Sequence, residues 1–291
     1  MSRKRHASEE GLEDMKTLML KRYIEKFLIC NINSFFDCEL LQCLKSINIR
    51  SMKISFIPKN FGTLPQLEEL DVSDNNLGAQ EDWSWLEQTS TQNSLFALNL
   101  SGNSLTKFPV QVTKLNKLII LIVSCNKLTY LPQSIKNLKH LAVLDVRFNE
   151  LSYLPVSIAE LNVQIAQISH NPFPNNHISY VCNLKMPSLV ELSAGVIINQ
   201  SVAQVAAKIP AILVRYLDEA KYCCNCGKAC FDRHIREITD RIPYSIVATY
   251  VLKMTKTLQF ECYYCSMYCS NQYHHLFNRI SNRRRSYTTR N

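Results

Sequence analysis

Glycine is scarce in this chain, with 6 in 291 residues. There is no G-x-S-x-G and no glycine-rich phosphate loop. The first absence removes the nucleophile elbow of a hydrolase, and the second removes a backbone cradle for nucleotide phosphates. No apolar run approaches the roughly 20 residues of a spanning helix. The N-terminal MSRKRHASEEG is polar and charged, so it cannot form the apolar core of a secretory signal. The expectation is a non-catalytic protein of the nucleus or cytoplasm, with no membrane and no small-molecule substrate. Acid is missing from the end of the chain. After Asn278 come Arg279, Arg283, Arg284, Arg285 and Arg290, and without them the net charge of +9 falls to +4. The charge is local, and residues 279–291 read as a solvated basic tail. A nucleic-acid contact is the weaker reading, and protein partners are favoured.

Cysteine is not scarce, at 12. Disulfides do not suit a reducing compartment. Cys30, Cys38, Cys43, Cys125 and Cys182 are scattered and read as small apolar residues. The other seven fall within 223–269. Cys223 and Cys226 form C-x-x-C-G, and ECYYCSMYC supplies Cys262, Cys265 and Cys269. Two pairs about 40 residues apart suit a closed tetrahedral site of four thiolates, with structural zinc as the cofactor. Cys223, Cys226, Cys265 and Cys269 are the first choice of ligands. Cys224, Cys230 and Cys262 compete with them, and His274 and His275 are outside candidates. A redox C-x-x-C is the alternative, though no βαβ context accompanies it.

Self-similarity dominates residues 44–180. The pattern L-x-x-L-x-L-x-x-N-x-L, with Val sometimes replacing Leu, starts at Leu67, Leu95, Leu118 and Leu141. The last three starts are 23 residues apart, and an insertion, GAQEDWSWLEQTSTQN, separates the first two. A weaker copy starts at Leu44, with Met52 where Asn is expected. A truncated one runs from Val163 to Phe173. Each L-x-L pair fits a short strand with both side chains inward. Asn75, Asn103, Asn126, Asn149 and Asn171 fit the turns, where their amides can satisfy buried backbone groups. One repeat cannot bury its own apolar face, so the copies must stack. The expected fold is an α/β leucine-rich repeat solenoid of about six units, with a parallel sheet on its concave face. Residues 1–43 would cap its first turn. Glu69, Asp71, Asn99, Ile120, Ile122, Val143, Asp145 and Arg147 flank the inward positions. They would form an exposed, mixed apolar–polar surface for a protein substrate.

Between repeats and cysteines lies 187–217. Leu189, Ser193 and Ile197 recur at i, i+4 and i+8, which is one helical ridge. Ile209-Pro210-x-x-Leu213 begins a second short helix, with proline suited to its first turn. A capping helix explains the first spacing as well as a docking helix does.

The order of repeats, SLVELSAGVI, IPAILVRYLDEAKYCCNCGKAC and YYCSMYC resembles the leucine-rich repeat protein 1 family, substrate receptors of Cullin-2 RING ubiquitin ligases. The resemblance covers roughly 44–270. It implies that Leu189, Ser193 and Ile197 bind Elongin C of Elongin B/C, with Ser193 replacing the commoner Cys or Ala. It implies that Ile209, Pro210 and Leu213 select Cullin-2 with its RING protein. Ile212 stands where the Cullin-5 form carries a second proline. The repeats would hold a cell-cycle or DNA-replication protein. The modules would be a box region at 187–217 and a Cys-rich module at 218–278. The competing class is a scaffold or signalling adaptor with a zinc-stabilised cap and no ligase.

Overall fold

A three-residue strand opens each repeat: β1 (Ser46–Asn48), β2 (Glu69–Asp71), β3 (Ala97–Asn99), β4 (Ile120–Ile122) and β5 (Val143–Asp145). The structure is a computed structural model. It describes residues 43–173, 179–184, 186–199, 209–239 and 258–274. Apart from Cys43, the expected N-terminal cap lies outside these residues. So do the connection 200–208, His275 and the basic tail. The five strands pair in parallel, and the register aligns Ser46, Glu69, Ala97, Ile120 and Val143 in one row. Leu70, Leu98, Leu121 and Leu144 point into the core between neighbours that do not, as the period of two requires.

Each ladder asparagine serves two turns. Asn126 donates from Nδ2 to the carbonyls of Val123 and Ser124 in its own turn and of Leu100 in the preceding one. Its Oδ1 accepts from the backbone N–H of Asn103 and of Leu105. Asn75 does the same, accepting from Met52 and Ile54 and donating to Ile49. The chain therefore tolerates Met52 in the first repeat, because the next asparagine serves that turn.

The residue before each ladder position is left-handed. Ser51, Asp74, Gly102, Cys125, Phe148 and His170 have φ of 57°, 55°, 65°, 55°, 53° and 59°. After the turn, a proline precedes a 3-10 helix. Pro58 leads into Lys59–Thr63, and Pro109 into Val110–Lys114. The fixed proline φ suits this entry. The insertion folds into 3-10 turns at Leu77–Ala79 and Ser84–Glu87 and the helix α1 (Thr89–Ser94), which together bury Trp83 and Trp85.

Two compact units divide the chain. The first holds the residues through Lys127 together with Leu138–Phe148. The second holds Leu128–Asn137 and everything from Asn149 onward. The division falls within the repeats. In the second unit, β6 (Leu154–Pro155) is a two-residue strand outside the repeat sheet, and β7 (Ile165–Gln167), with its ladder residue Asn171, follows the repeat pattern. This unit also contains β8 (Ser179–Asn183), helices α2 (Leu189–Asn199) and α3 (Ala211–Asp218), and strands β9 (Lys221–Tyr222), β10 (Ala229–Cys230), β11 (His234–Thr239) and β12 (Phe260–Tyr264). A four-stranded sheet runs in the order β6-β12-β11-β8. Strand β11 is antiparallel to both β8 and β12, whereas β12 runs parallel to β6. The buried Glu261 on β12 holds this sheet internally. It accepts from Arg236 Nε and from the Tyr263 hydroxyl at 2.8 Å. Its backbone carbonyl accepts from Gln133 Nε2 at 3.1 Å. No helix among the described residues is long and apolar enough to cross a membrane.

Candidate functional site

Four thiols converge in the second unit. Strands β9 and β10 form an antiparallel hairpin. Its turn is closed by Gly227 N–H donating to the Cys223 carbonyl at 2.8 Å and Cys223 N–H donating to the Lys228 carbonyl at 2.9 Å. Gly227 supplies the left-handed φ of 73° that this turn requires. The hairpin presents Cys223 and Cys226. Cys265 leaves the end of β12, and Cys269 sits in the helical stretch 267–274, its N–H donating to Ser266 Oγ. The Sγ atoms of these four all lie within 4.8 Å of one another. Cys226 and Cys265 are 3.6 Å apart, and Cys265 and Cys269 are 3.5 Å apart. Tetrahedral zinc, with Zn–S of about 2.3 Å, spaces its sulfurs by roughly 3.8 Å. Four soft thiolate donors at this spacing fit such an ion. A redox pair would need only two thiols, and here four meet.

The competing cysteines point elsewhere. Cys224 follows Cys223 directly and turns away from the cluster. Its Sγ accepts from Tyr263 N–H at 3.2 Å, and burial beside Cys262 pushes its thiol well up. Cys230 faces the Lys228 carbonyl and is pushed up to about 12, chiefly by burial. Burial also pushes Cys226 and Cys265 up. Burial acts the same way on Cys269, but hydrogen bonds from Asn225, Ser266, Cys265 and Cys226 outweigh it and bring that thiol down to about 7. His274 bonds to Glu237 at 2.9 Å, apart from the four-thiol cluster.

The hairpin also seats the two helices. Ser188 Oγ accepts from Glu191 N–H and caps α2. The inner side of α2 packs Ala194 and Ile198 with Ala220, Tyr222, Ala229, Phe231 and the α3 residues Tyr216 and Leu217. Tyr216 stacks on Phe231 at 4.8 Å and donates to Asp232. Glu191 accepts from Arg233 N–H at 2.8 Å. The other side of α2 is uncovered, with Leu189 82% exposed and Leu192 and Val196 also outside. Ser193 is exposed on this side, and its hydroxyl donates to the Leu189 carbonyl. Ile197 is half-buried. Pro210 precedes α3 and its carbonyl accepts from Leu213 N–H. Leu213 is exposed, Ile209 is half-buried, and Ile212 is 76% exposed.

In the first unit, the outward side of β1–β4 forms a hollow of about 210 Å³, lined by Glu69, Asp71, Asn99, Ile120 and Ile122 among others. Two expectations for this surface need correction. Ile120, Ile122 and Val143 are half-buried rather than exposed, because neighbouring strands shield three-residue strands from both sides. Asp145 is only 7% exposed, because the Arg147 guanidinium lies along it, with Nε to Oδ1 at 3.0 Å and a terminal nitrogen to Oδ2 at 2.8 Å.

No protein-family model matches the chain, and no curated protein matches it. Solved structures match in part. The BIR3–SERK2 complex from Arabidopsis thaliana matches at 29% identity, over 43% of this chain and 66% of that one, with a TM-score of 0.36. The LRR ectodomain of the receptor kinase SOBIR1 from the same plant matches at 27% identity, over 44% and 69%, with a TM-score of 0.36. The LRR protein LIC12759 of Leptospira interrogans matches at 23% identity, over 47% and 40%, with a TM-score of 0.37. The match spans less than two thirds of the first and third of these chains. The repeat architecture rests on the strand register and the asparagine ladder described above.

Proposed function

We propose that this chain is the substrate-recognition subunit of a Cullin-2 RING ubiquitin ligase, working in the nucleus or cytoplasm. Helix α2 docks Elongin B/C through Leu189, Ser193 and Ile197. Ile209, Pro210 and Leu213 engage Cullin-2 with its RING protein. The repeats hold a protein substrate, of the cell-cycle or DNA-replication class that the resemblance implies. The chain performs no chemistry itself and acts by proximity, holding substrate beside a conjugating enzyme.

The observation that carries this reading is the exposure of Leu189. A capping helix turns its apolar ridge inward, and burying one leucine is worth about 2 kcal/mol. Here Ala194 and Ile198 face inward, and Leu189, Leu192 and Val196 are left to water. That arrangement suits a helix laid into a partner's groove, where spaced apolar anchors supply the affinity. Ser193 fits the same role. Its hydroxyl is already satisfied within the helix, so a partner could cover it without stranding a polar group.

Zinc, held by Cys223, Cys226, Cys265 and Cys269, would be structural, since four protein ligands leave no open position. It would clamp the β9–β10 hairpin to the end of β12. Tyr222 and Ala229 on that hairpin support α2 and α3, so the metal would hold the docking helices in place.

The test is copurification of Elongin B/C and Cullin-2 with wild type and with Leu189→Asp. An exposed side chain can change without unfolding the protein. Capture by wild type and loss in the folded variant are expected. No capture by a folded wild type would overturn the reading in favour of a non-ligase adaptor.

A further inference from the structure

From the outward side of β1–β4 we infer the chemistry of the protein segment it binds: an extended stretch carrying a Lys or Arg about three residues from a large apolar side chain. The inference deepens the proposed substrate-binding role of the repeats and rests on that reading. The register puts different chemistry on different strands. On β2, Glu69 and Asp71 flank the inward Leu70. On β3, the small or neutral Ala97 and Asn99 occupy the same rows. On β4, Ile120 and Ile122 occupy them. A ligand crossing the strands therefore meets two carboxylates, then a neutral strip, then two isoleucines.

The carboxylates are available. Among the described residues, Glu69 accepts only a Ser46 hydroxyl at 3.2 Å, and Asp71 accepts only the Ser73 backbone N–H at 2.9 Å. Neither has a cationic partner among the described residues. Nearby acids do, since Glu68 pairs with Lys45 and Asp74 with Arg50. Two carboxylates without cations, on a chain of net charge +9, run against the overall sign. They would repel a phosphodiester backbone, which argues for a peptide over a nucleic acid. The hollow of about 210 Å³ lies over this same set of side chains.

Strand spacing fixes the separation. Adjacent strands lie about 4.8 Å apart, so β2 and β4 are separated by about 9.6 Å. A ligand in the extended polyproline II conformation, with three residues per turn and a rise of about 3.1 Å, covers that in roughly three residues and keeps both side chains on the face toward the sheet. The sequence that fits is therefore a basic residue, two spacers and a Leu, Ile or Phe, in one of the two chain directions.

The experiment titrates the full chain into short fluorescein-labelled peptides: Arg-x-x-Leu, Leu-x-x-Arg, and the controls Glu-x-x-Leu and Arg-x-x-Asp. Proteins are wild type, Ile120→Asp and the double variant Glu69→Lys with Asp71→Lys, each checked for folding by circular dichroism. Wild type should favour one of the basic–apolar peptides over both controls by about tenfold. The Lys double variant should lose that preference and bind Glu-x-x-Leu better than wild type does. Ile120→Asp should weaken the apolar contact alone. Equal binding of all four peptides, no binding of either basic–apolar peptide, or an unchanged preference in the Lys double variant would overturn the inference. Elongin B/C capture is measured on the same preparations. Capture without peptide preference removes this inference and leaves the receptor reading. Preference without capture does the reverse.

Discussion

The repeats and the cysteine-bearing unit solve the problem of buried polar backbone in different ways. In the repeats the solution is distributed. Asn75, Asn103 and Asn126 each bond to their own turn and to the one before it, so each turn is held by several amides. In the second unit it is concentrated. One hairpin, one strand end and one helical stretch meet at four thiols, and the surfaces that seat α2 and α3 lie on that hairpin. A distributed design fails by degrees, and a concentrated one fails at once.

The largest expected effect breaks the concentrated side. Structural zinc in small sites is worth about 10–16 kcal/mol of folding free energy in apparent terms. Stripping the metal with a strong chelator, or changing Cys223→Ser, should unfold the β9–β10 hairpin and loosen both helices. The readouts are zinc content by mass spectrometry and hydrogen exchange of the amides of residues 221–230. One zinc per chain is expected, with loss of protection there while β2–β4 stay protected. A metal-free chain with a fully protected hairpin would sink the idea. Elongin capture should fall with the hairpin even though Leu189 is untouched.

A smaller effect tests the distributed side. Asn126→Ala deletes five hydrogen bonds, three donated and two accepted. Buried groups left without partners cost about 1–3 kcal/mol each, so a loss of at least about 3 kcal/mol is expected in denaturant melts. The zinc content should not change. Equal damage to β9–β10 protection would mean that the two units do not respond independently.

These contrasts also explain what could be read in advance. The repeats were legible because every position does one job many times, so Leu67, Leu95, Leu118 and Leu141 announce one another. The four converging cysteines could be ranked but not selected by spacing alone. The selection depends on which way successive side chains point, and Cys223 and Cys224 point oppositely. The sheet built from β6, β8, β11 and β12 was not legible. Ile235 pairs with Cys182 on one side and Tyr264 on the other, and local alternation in HIREIT names neither partner. Leu189, Ser193 and Ile197 were visible as a ridge, yet a cap and a docking helix share that spacing. The spacing does not say which way the ridge faces; in the structure Leu189 faces outward and Ile197 is half-buried. The shielding of Asp145 by Arg147 depends on a side-chain rotamer, which no repeat pattern encodes.

A titratable group sharpens the comparison further. His234 on β11 sits edge-on to Tyr263 at 4.9 Å, and burial, then the charge of Lys221, holds its pKa below the ordinary value. The unfolded chain then binds the proton more readily than the folded one. Stability from this group is present above about pH 6.5, declines as pH falls through the interval down to the lowered folded value, and changes no further below it. The difference between wild type and His234→Gln, melted across that interval, isolates the contribution of this imidazole from that of the other titrating groups. A pH-independent difference between the two proteins would rule out this role.

The smallest effect concerns the left-handed position before each ladder residue. Only Gly102 announces it, because glycine adopts φ of 65° without penalty. Phe148 occupies the equivalent position at φ of 53° with nearly half its side chain exposed. An L-residue there costs about 1–2 kcal/mol relative to an unstrained conformation. Phe148→Gly removes that strain, but it also removes whatever packing the ring retains and adds chain entropy to the unfolded state. These terms oppose one another, so the change should stay within about 1 kcal/mol of wild type. Gly102→Ala lowers the entropy of the unfolded chain, but where φ is positive that gain is outweighed. Its new Cβ would collide with the Asp74 carboxylate and meet the left-handed strain as well. It should destabilise the first unit by more than Phe148→Gly changes the protein in either direction. If the two substitutions cost the same in parallel denaturant melts, the left-handed turn is not a shared structural requirement of the repeats, and the recurrence of φ near 55° has some other cause.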